Sequence, residues 1–157
     1  MLHILHAGLN RLLSELVDVS PEFPWKPGNF RMVGSHSVHF CYGHGGHRFA
    51  VAVALPSFEL DDQGLEALRR LTADADSDVR DWATFGLAAS DATDASTVRA
   101  LAARTDDADD DTRAEAIFGL ARRRDPRARA LIQDELARPS HGVLIERALE
   151  ELGEAPD

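Results

Sequence analysis

One segment of the chain occurs twice. Asp78-Val79-Arg80-Asp81-Trp82-Ala83-Thr84-Phe85-Gly86-Leu87-Ala88 returns further along as Asp111-Thr112-Arg113-Ala114-Glu115-Ala116-Ile117-Phe118-Gly119-Leu120-Ala121. A period of about 33 residues restricts the chain to architectures in which like units stack on like, each burying its apolar side against the next. Two weaker copies flank the pair at close to the same period. The first opens at Arg48 and runs to Leu55; the last opens at Ile145 and keeps Ala148 and Leu152.

Within each copy the small and apolar residues fall three, four and seven positions after the arginine, as in Ala83, Thr84 and Leu87 or Ala116, Ile117 and Leu120. That is the spacing of one buried helix face. Second amphipathic stretches lie between the copies, at Leu65, Leu68 and Leu71, at Val98 and Leu101, and at Leu131, Ile132 and Leu136. Each unit is therefore expected to be a pair of helices. Turns are expected at Ser90–Asp94, Asp106–Asp110, Asp125-Pro126 and Pro139-Ser140. The aspartates there suit helix starts, where a side-chain oxygen accepts free backbone N–H groups and negative charge meets the positive end of the helix dipole. Thr112 with Glu115 has the spacing of a capping box.

The 157 residues include 44% hydrophobic and 28% charged residues and one cysteine, enough for one domain with its own core and too little cysteine for a disulfide scaffold. No apolar run reaches the roughly 18 residues of a membrane span, and the first residues lack a basic signal region, so a cytoplasmic protein is expected. The net charge of −10 is uneven: residues 1–57 carry +1 and residues 58–157 carry −11. An acidic repeat region repels phosphate backbones, which disfavours nucleic acid as a partner and favours a basic protein.

The Asp-x-Val-Arg element at Asp76-Ser77-Asp78-Val79-Arg80, its counterpart Asp110-Asp111-Thr112-Arg113, and the turn Gly119-Leu120-Ala121-Arg122-Arg123-Arg124-Asp125-Pro126-Arg127 resemble short HEAT-like repeats of the phycobilisome-lyase type. Asp81-Trp82-Ala83-Thr84-Phe85-Gly86-Leu87 is similar to a bacterial subgroup of HEAT-repeat proteins of unassigned activity. The resemblance covers about residues 46–152, departing from the pattern at Ile145 and at Gly46-His47. It implies an all-α, right-handed α-solenoid of about four helical hairpins over residues 46–157, and a role as an interaction surface, a lyase-type subunit or an immunity protein. Residues 1–45 stand outside it: a helix is expected over residues 2–17, followed by a Pro/Gly/His-rich irregular segment in which residues 38–42 read equally as a short strand, by their alternation, or as a degraded helix of a first repeat.

Chemistry-bearing residues are few. Four histidines, His36, His39, His44 and His47, lie with Cys41 in a glycine-rich stretch. Imidazole and thiolate ligate zinc or copper, but the spacing matches no established zinc pattern, so these remain weak metal candidates and no cofactor is expected. A lone Cys41 reads as a structural cysteine, and Asp106–Asp111 lack the glycine and glutamate of a calcium loop. No catalytic residue is assigned.

A non-enzymatic binding module is the expected function, with a metal-binding loop at His36–His47 and a lyase- or chaperone-type groove as alternatives. The expected binding face comprises Asp81, Trp82, Thr84, Glu115 and Arg122. Trp82 stands where the next unit carries Glu115, which argues for exposure, whereas Phe85 and Phe118 share a repeat position and are expected in the core. Arg80 and Arg113, with Asp78 and Asp111, are expected to form a polar ladder between units. Arg122, Arg123 and Arg124 are read as complements to the dipole of their own helix.

Overall fold

The computed structural model describes residues 46–139 and 141–153, and among them the chain is all-helical, with no strand. The helices are α1 (Gly46–Ala54), α2 (Asp62–Leu71), α3 (Ser77–Ala89), α4 (Ala95–Ala102), α5 (Asp110–Arg122), α6 (Ala128–Leu136) and α7 (Val143–Glu151), with a 3-10 turn at Leu55–Ser57 after α1. None is long and apolar enough to cross a membrane. The helix expected over residues 2–17 and the strand or degraded helix at residues 38–42 lie outside the described residues, as does all of the histidine stretch up to Gly45.

The helices sort into two layers. In one, α3 packs between α1 and α5, and α5 between α3 and α7; in the other, α2 packs on α3, α4 on α3 and α5, and α6 on α5 and α7. The core runs between the layers through Val51, Leu55, Leu68, Leu71, Val79, Leu87, Leu101, Ile117, Leu120, Ile132 and Ile145, each 1% exposed or less. The repeated glycine sets how closely the helices of the first layer approach. A Cβ on Gly119 would stand 3.0 Å from the Ala88 Cα of α3, and one on Gly86 would stand 2.6 Å from the Pro56 side chain, so only hydrogen fits at this repeat position.

Aspartates start the helices as their position suggests. Asp61, Asp76, Asp94 and Asp109 each accept backbone N–H groups at the heads of α2, α3, α4 and α5. The capping box expected from Thr112 and Glu115 does not form. Asp109 is the cap, accepting from both the amide and the hydroxyl of Thr112 at 2.8 and 2.9 Å, so Thr112 is already inside the helix and Glu115, half-buried, takes no part in the cap.

The far end of α5 closes differently from the sequence expectation. Arg124 takes a left-handed conformation, φ 51°, while the amides of Arg124 and Asp125 donate to the carbonyls of Ala121 and Leu120, a Schellman closure with arginine where glycine is usual. Arg122 and Arg123 do not serve their own helix dipole alone. They reach back to α3: Arg122 Nη1 donates to the Ala88 carbonyl, at 2.6 Å, and Arg123 donates to the carbonyls of Leu87, Ser90 and Ala92, each at 2.8 Å. These carbonyls lie at and just beyond the helix C-terminus, where backbone acceptors are left without intrahelical partners.

A polar ladder links successive units along one edge. Arg48 Nε donates to Asp74 at 2.6 Å; Arg80 forks onto Asp107 at 2.9 and 3.0 Å; Arg113 donates to Glu135 at 3.0 Å. Arg80 and Arg113 also bind backbone carbonyls of the preceding loop, those of Asp74 and Asp107 respectively. The acidic members are thus Asp74, Asp107 and Glu135. Asp78 and Asp111, expected in this role, are exposed and stand outside the ladder. The ladder holds its aspartates ionised: the Arg80 hydrogen bond depresses the Asp107 carboxyl, and at Asp74 the bonds from Arg48 and the Asp76 amide overcome the raising effect of burial.

Candidate functional site

Helical spacing places a second set of side chains on one solvent-facing stripe of α3, α5 and α7. Asp78, Asp81, Trp82 and Phe85 project from α3, Asp111, Glu115, Phe118 and Arg122 from α5, and Leu144, Arg147 and Glu151 from α7. Because these three helices are neighbours in one layer, the stripes form a continuous surface, acidic toward the heads of α3 and α5, aromatic in the middle and basic beyond.

The aromatic part is built around Phe85, which is 39% exposed and meets Trp82 edge-on, with ring centroids 5.8 Å apart and planes at 80°. Such edge-to-face packing adds about 0.5–1.5 kcal/mol beyond area burial and fixes both rings. On α5, Phe118 is partly buried, and the Arg147 guanidinium of α7 lies 5.3 Å from its ring centroid, within cation–π range. Phe85, Glu115, Phe118, Leu144 and Arg147 line a groove of about 370 Å³.

The acids of this surface lack the partners that the ladder acids have. Burial, reinforced by Asp109, Asp111 and Asp78, pushes the Asp81 carboxyl up to about 6. Burial also pushes Glu115 up to about 7, with Asp81 and Asp111 adding to the effect and Arg147 opposing it. Neither acid forms a hydrogen bond or ion pair among the described residues. Ionisation of each near neutral pH therefore works against both desolvation and its neighbours, and an added cation would be drawn to it.

The residues expected on this face divide. Asp81, Trp82 and Glu115 come together on it. Thr84 does not: it is fully buried, its hydroxyl donating to the Arg80 carbonyl at 2.7 Å, because the helical spacing that turns Ala83 and Leu87 inward carries Thr84 with them. Arg122 lies at the edge, tied to the end of α3 and to Asp91. Phe85, expected in the core, is exposed, since Gly86 and Leu87 occupy the inward positions of that turn. Arg147 and Leu144 join the face without being singled out by the sequence reading; the register that aligns Trp82 with Glu115 leads, one unit further, to Arg147.

Among the described residues no cluster of three or more His, Cys, Asp or Glu side chains could hold a metal ion. Of the metal candidates, His36, His39 and His44 lie outside the described residues, and His47 stands in α1 without a described side chain. Comparison with protein families, curated proteins and solved structures finds no match to this chain.

Proposed function

We propose that the chain is a small HEAT-like α-solenoid, right-handed, that acts without chemistry of its own by binding a basic protein across the exposed face of α3, α5 and α7. What carries this reading is the coincidence of two acids without a described partner, Asp81 and Glu115, with a surface aromatic pair, Trp82 and Phe85. Charge that repels itself and an open ring are both costly to leave facing water alone, and aromatic residues are typical anchors of protein interfaces. The recurrence of helix, glycine and ladder arginine from unit to unit supports the solenoid. The net charge of −10 supports a basic partner and opposes nucleic acid.

The test is native mass spectrometry of tag-free full chain from its source cells, beside a triple variant Asp81→Lys, Trp82→Ala, Glu115→Lys. A stoichiometric basic protein held by the parent and absent from the folded variant is the expected result. A partner retained equally by both would place binding on another face, and a parent chain without any protein partner would overturn the reading.

A further inference from the structure

The repeat makes two aromatic positions comparable: Phe85 and Phe118 occupy the same place in successive units, and each faces the next helix of the same layer. For Phe118 that neighbour supplies Arg147, whose guanidinium stacks on the ring. The position equivalent to Arg147 one unit earlier is Glu115. Phe85 thus presents an exposed ring beside a carboxylate, at a place where the following unit puts a cation on its ring. The Phe118–Arg147 stack shows what this surface accepts.

We infer that the corner formed by Phe85 and Glu115 is a seat for an arginine side chain of a basic partner, which stacks on the Phe85 ring and pairs with the Glu115 carboxylate. This deepens the binding-face reading above and rests on it. Arginine fits better than lysine. A planar guanidinium covers a ring face and donates two parallel N–H groups to one carboxylate, whereas an ammonium is a more strongly hydrated point charge that does neither. Trp82 packs T-shaped against the Phe85 ring, with centroids 5.8 Å apart, so the ring is set before a partner arrives. The groove continues past Phe118 to Leu144, leaving room for the aliphatic stem of the incoming side chain.

The experiment uses two uncharged-end tripeptides, acetyl-Gly-Arg-Gly-amide and acetyl-Gly-Lys-Gly-amide, titrated into the full chain while the side-chain resonances of Phe85, Trp82 and Glu115 are followed by NMR. The arginine peptide should bind saturably, with a dissociation constant on the order of millimolar. The lysine peptide should bind several-fold more weakly. Glu115→Gln, which keeps the shape and removes the charge, and Phe85→Leu, which keeps an apolar side chain and removes the ring, should each weaken the arginine peptide about tenfold. Thermal melts establish that both variants are folded, and Glu115→Gln alone suffices should Phe85→Leu not be. Equal binding of the two peptides, absence of saturable binding, or indifference to Glu115→Gln overturns the inference. If the triple variant loses its protein partner while the tripeptides show one of these results, the arginine seat fails and the binding face stands; if the partner is also retained, both fail.

Discussion

The two polar edges of α3 and α5 are built from the same residue types and behave in opposite ways. Along the ladder every acid meets an arginine: Asp107 accepts from Arg80 and Arg104, and Glu135 from Arg113 and Arg138. On the proposed binding face, Asp81 and Glu115 meet mainly other acids. One edge uses charge to fasten unit to unit, and the other holds charge in a poorly compensated state that an outside cation would relieve. Stability and the proposed recognition would thus fall on different sides of the same helices.

The sharpest break in this contrast comes from the ladder. The Asp107 side chain is 4% exposed and also accepts the Asp109 amide, so Asp107→Ala removes the carboxylate partner of Arg80 and Arg104 and the acceptor of a backbone amide. A loss of about 3 kcal/mol is expected in urea unfolding. Asp111→Ala, at an exposed acid in the first turn of α5, should cost roughly 0.3 kcal/mol; equal losses for the two would dissolve the distinction.

Glu115→Gln should act in the other direction. In the unfolded chain this carboxyl titrates near 4.5, and in the folded chain it is raised to about 7. The folded state therefore binds the proton more tightly, and the stabilisation this provides is complete below pH 4.5 and lost as pH rises through about 7. Asp81, raised from 3.8 to about 6, contributes in the same sense over a lower window. The parent should become more stable as pH is lowered from 8 to about 5. Glu115→Gln should gain about 1 kcal/mol at pH 8, after allowance for solvent screening, and show a flatter pH profile. Destabilisation at pH 8 would mean that Glu115 has a structural partner.

The smallest effect belongs to the exposed ring. Phe85→Leu should change stability by about 0.5 kcal/mol or less, as substitutions at exposed positions usually do, because the edge packing against Trp82 is the main interaction it removes. A cost of several kcal/mol by calorimetry would return Phe85 to the core and remove it from the candidate site.

The helices are legible in the sequence because apolar periodicity and aspartate caps are local signals, and the repeat supplies each twice. The ladder arginines are legible for the same reason. Their acidic partners are not: Asp107 lies 27 residues from Arg80, and the nearer Asp78 has the right charge but projects from the outer side of the first helical turn. Phe85 misleads because repeat equivalence fixes where a residue sits and not what covers it: Arg147 lies over the ring of Phe118, and the equivalent position beside Phe85 is Glu115. Thr84 belongs to the core by its spacing, yet its hydroxyl invites a surface reading until the Arg80 carbonyl is seen to satisfy it. Arg147 is hidden by the loss of the repeat arginine at Ile145, which makes α7 the hardest unit to align.

The reach of Arg123 bears on how the chain can be divided. Its guanidinium closes the end of α3 from the end of α5, across the whole of α4. A fragment ending after α4 would keep every residue of α3 and still lose the closure of its last carbonyls. The covalent repeat and the folding unit are accordingly out of step: α3 borrows its closure from the helix pair that follows, so the region from α3 to Arg123 gains or loses order together rather than one hairpin at a time.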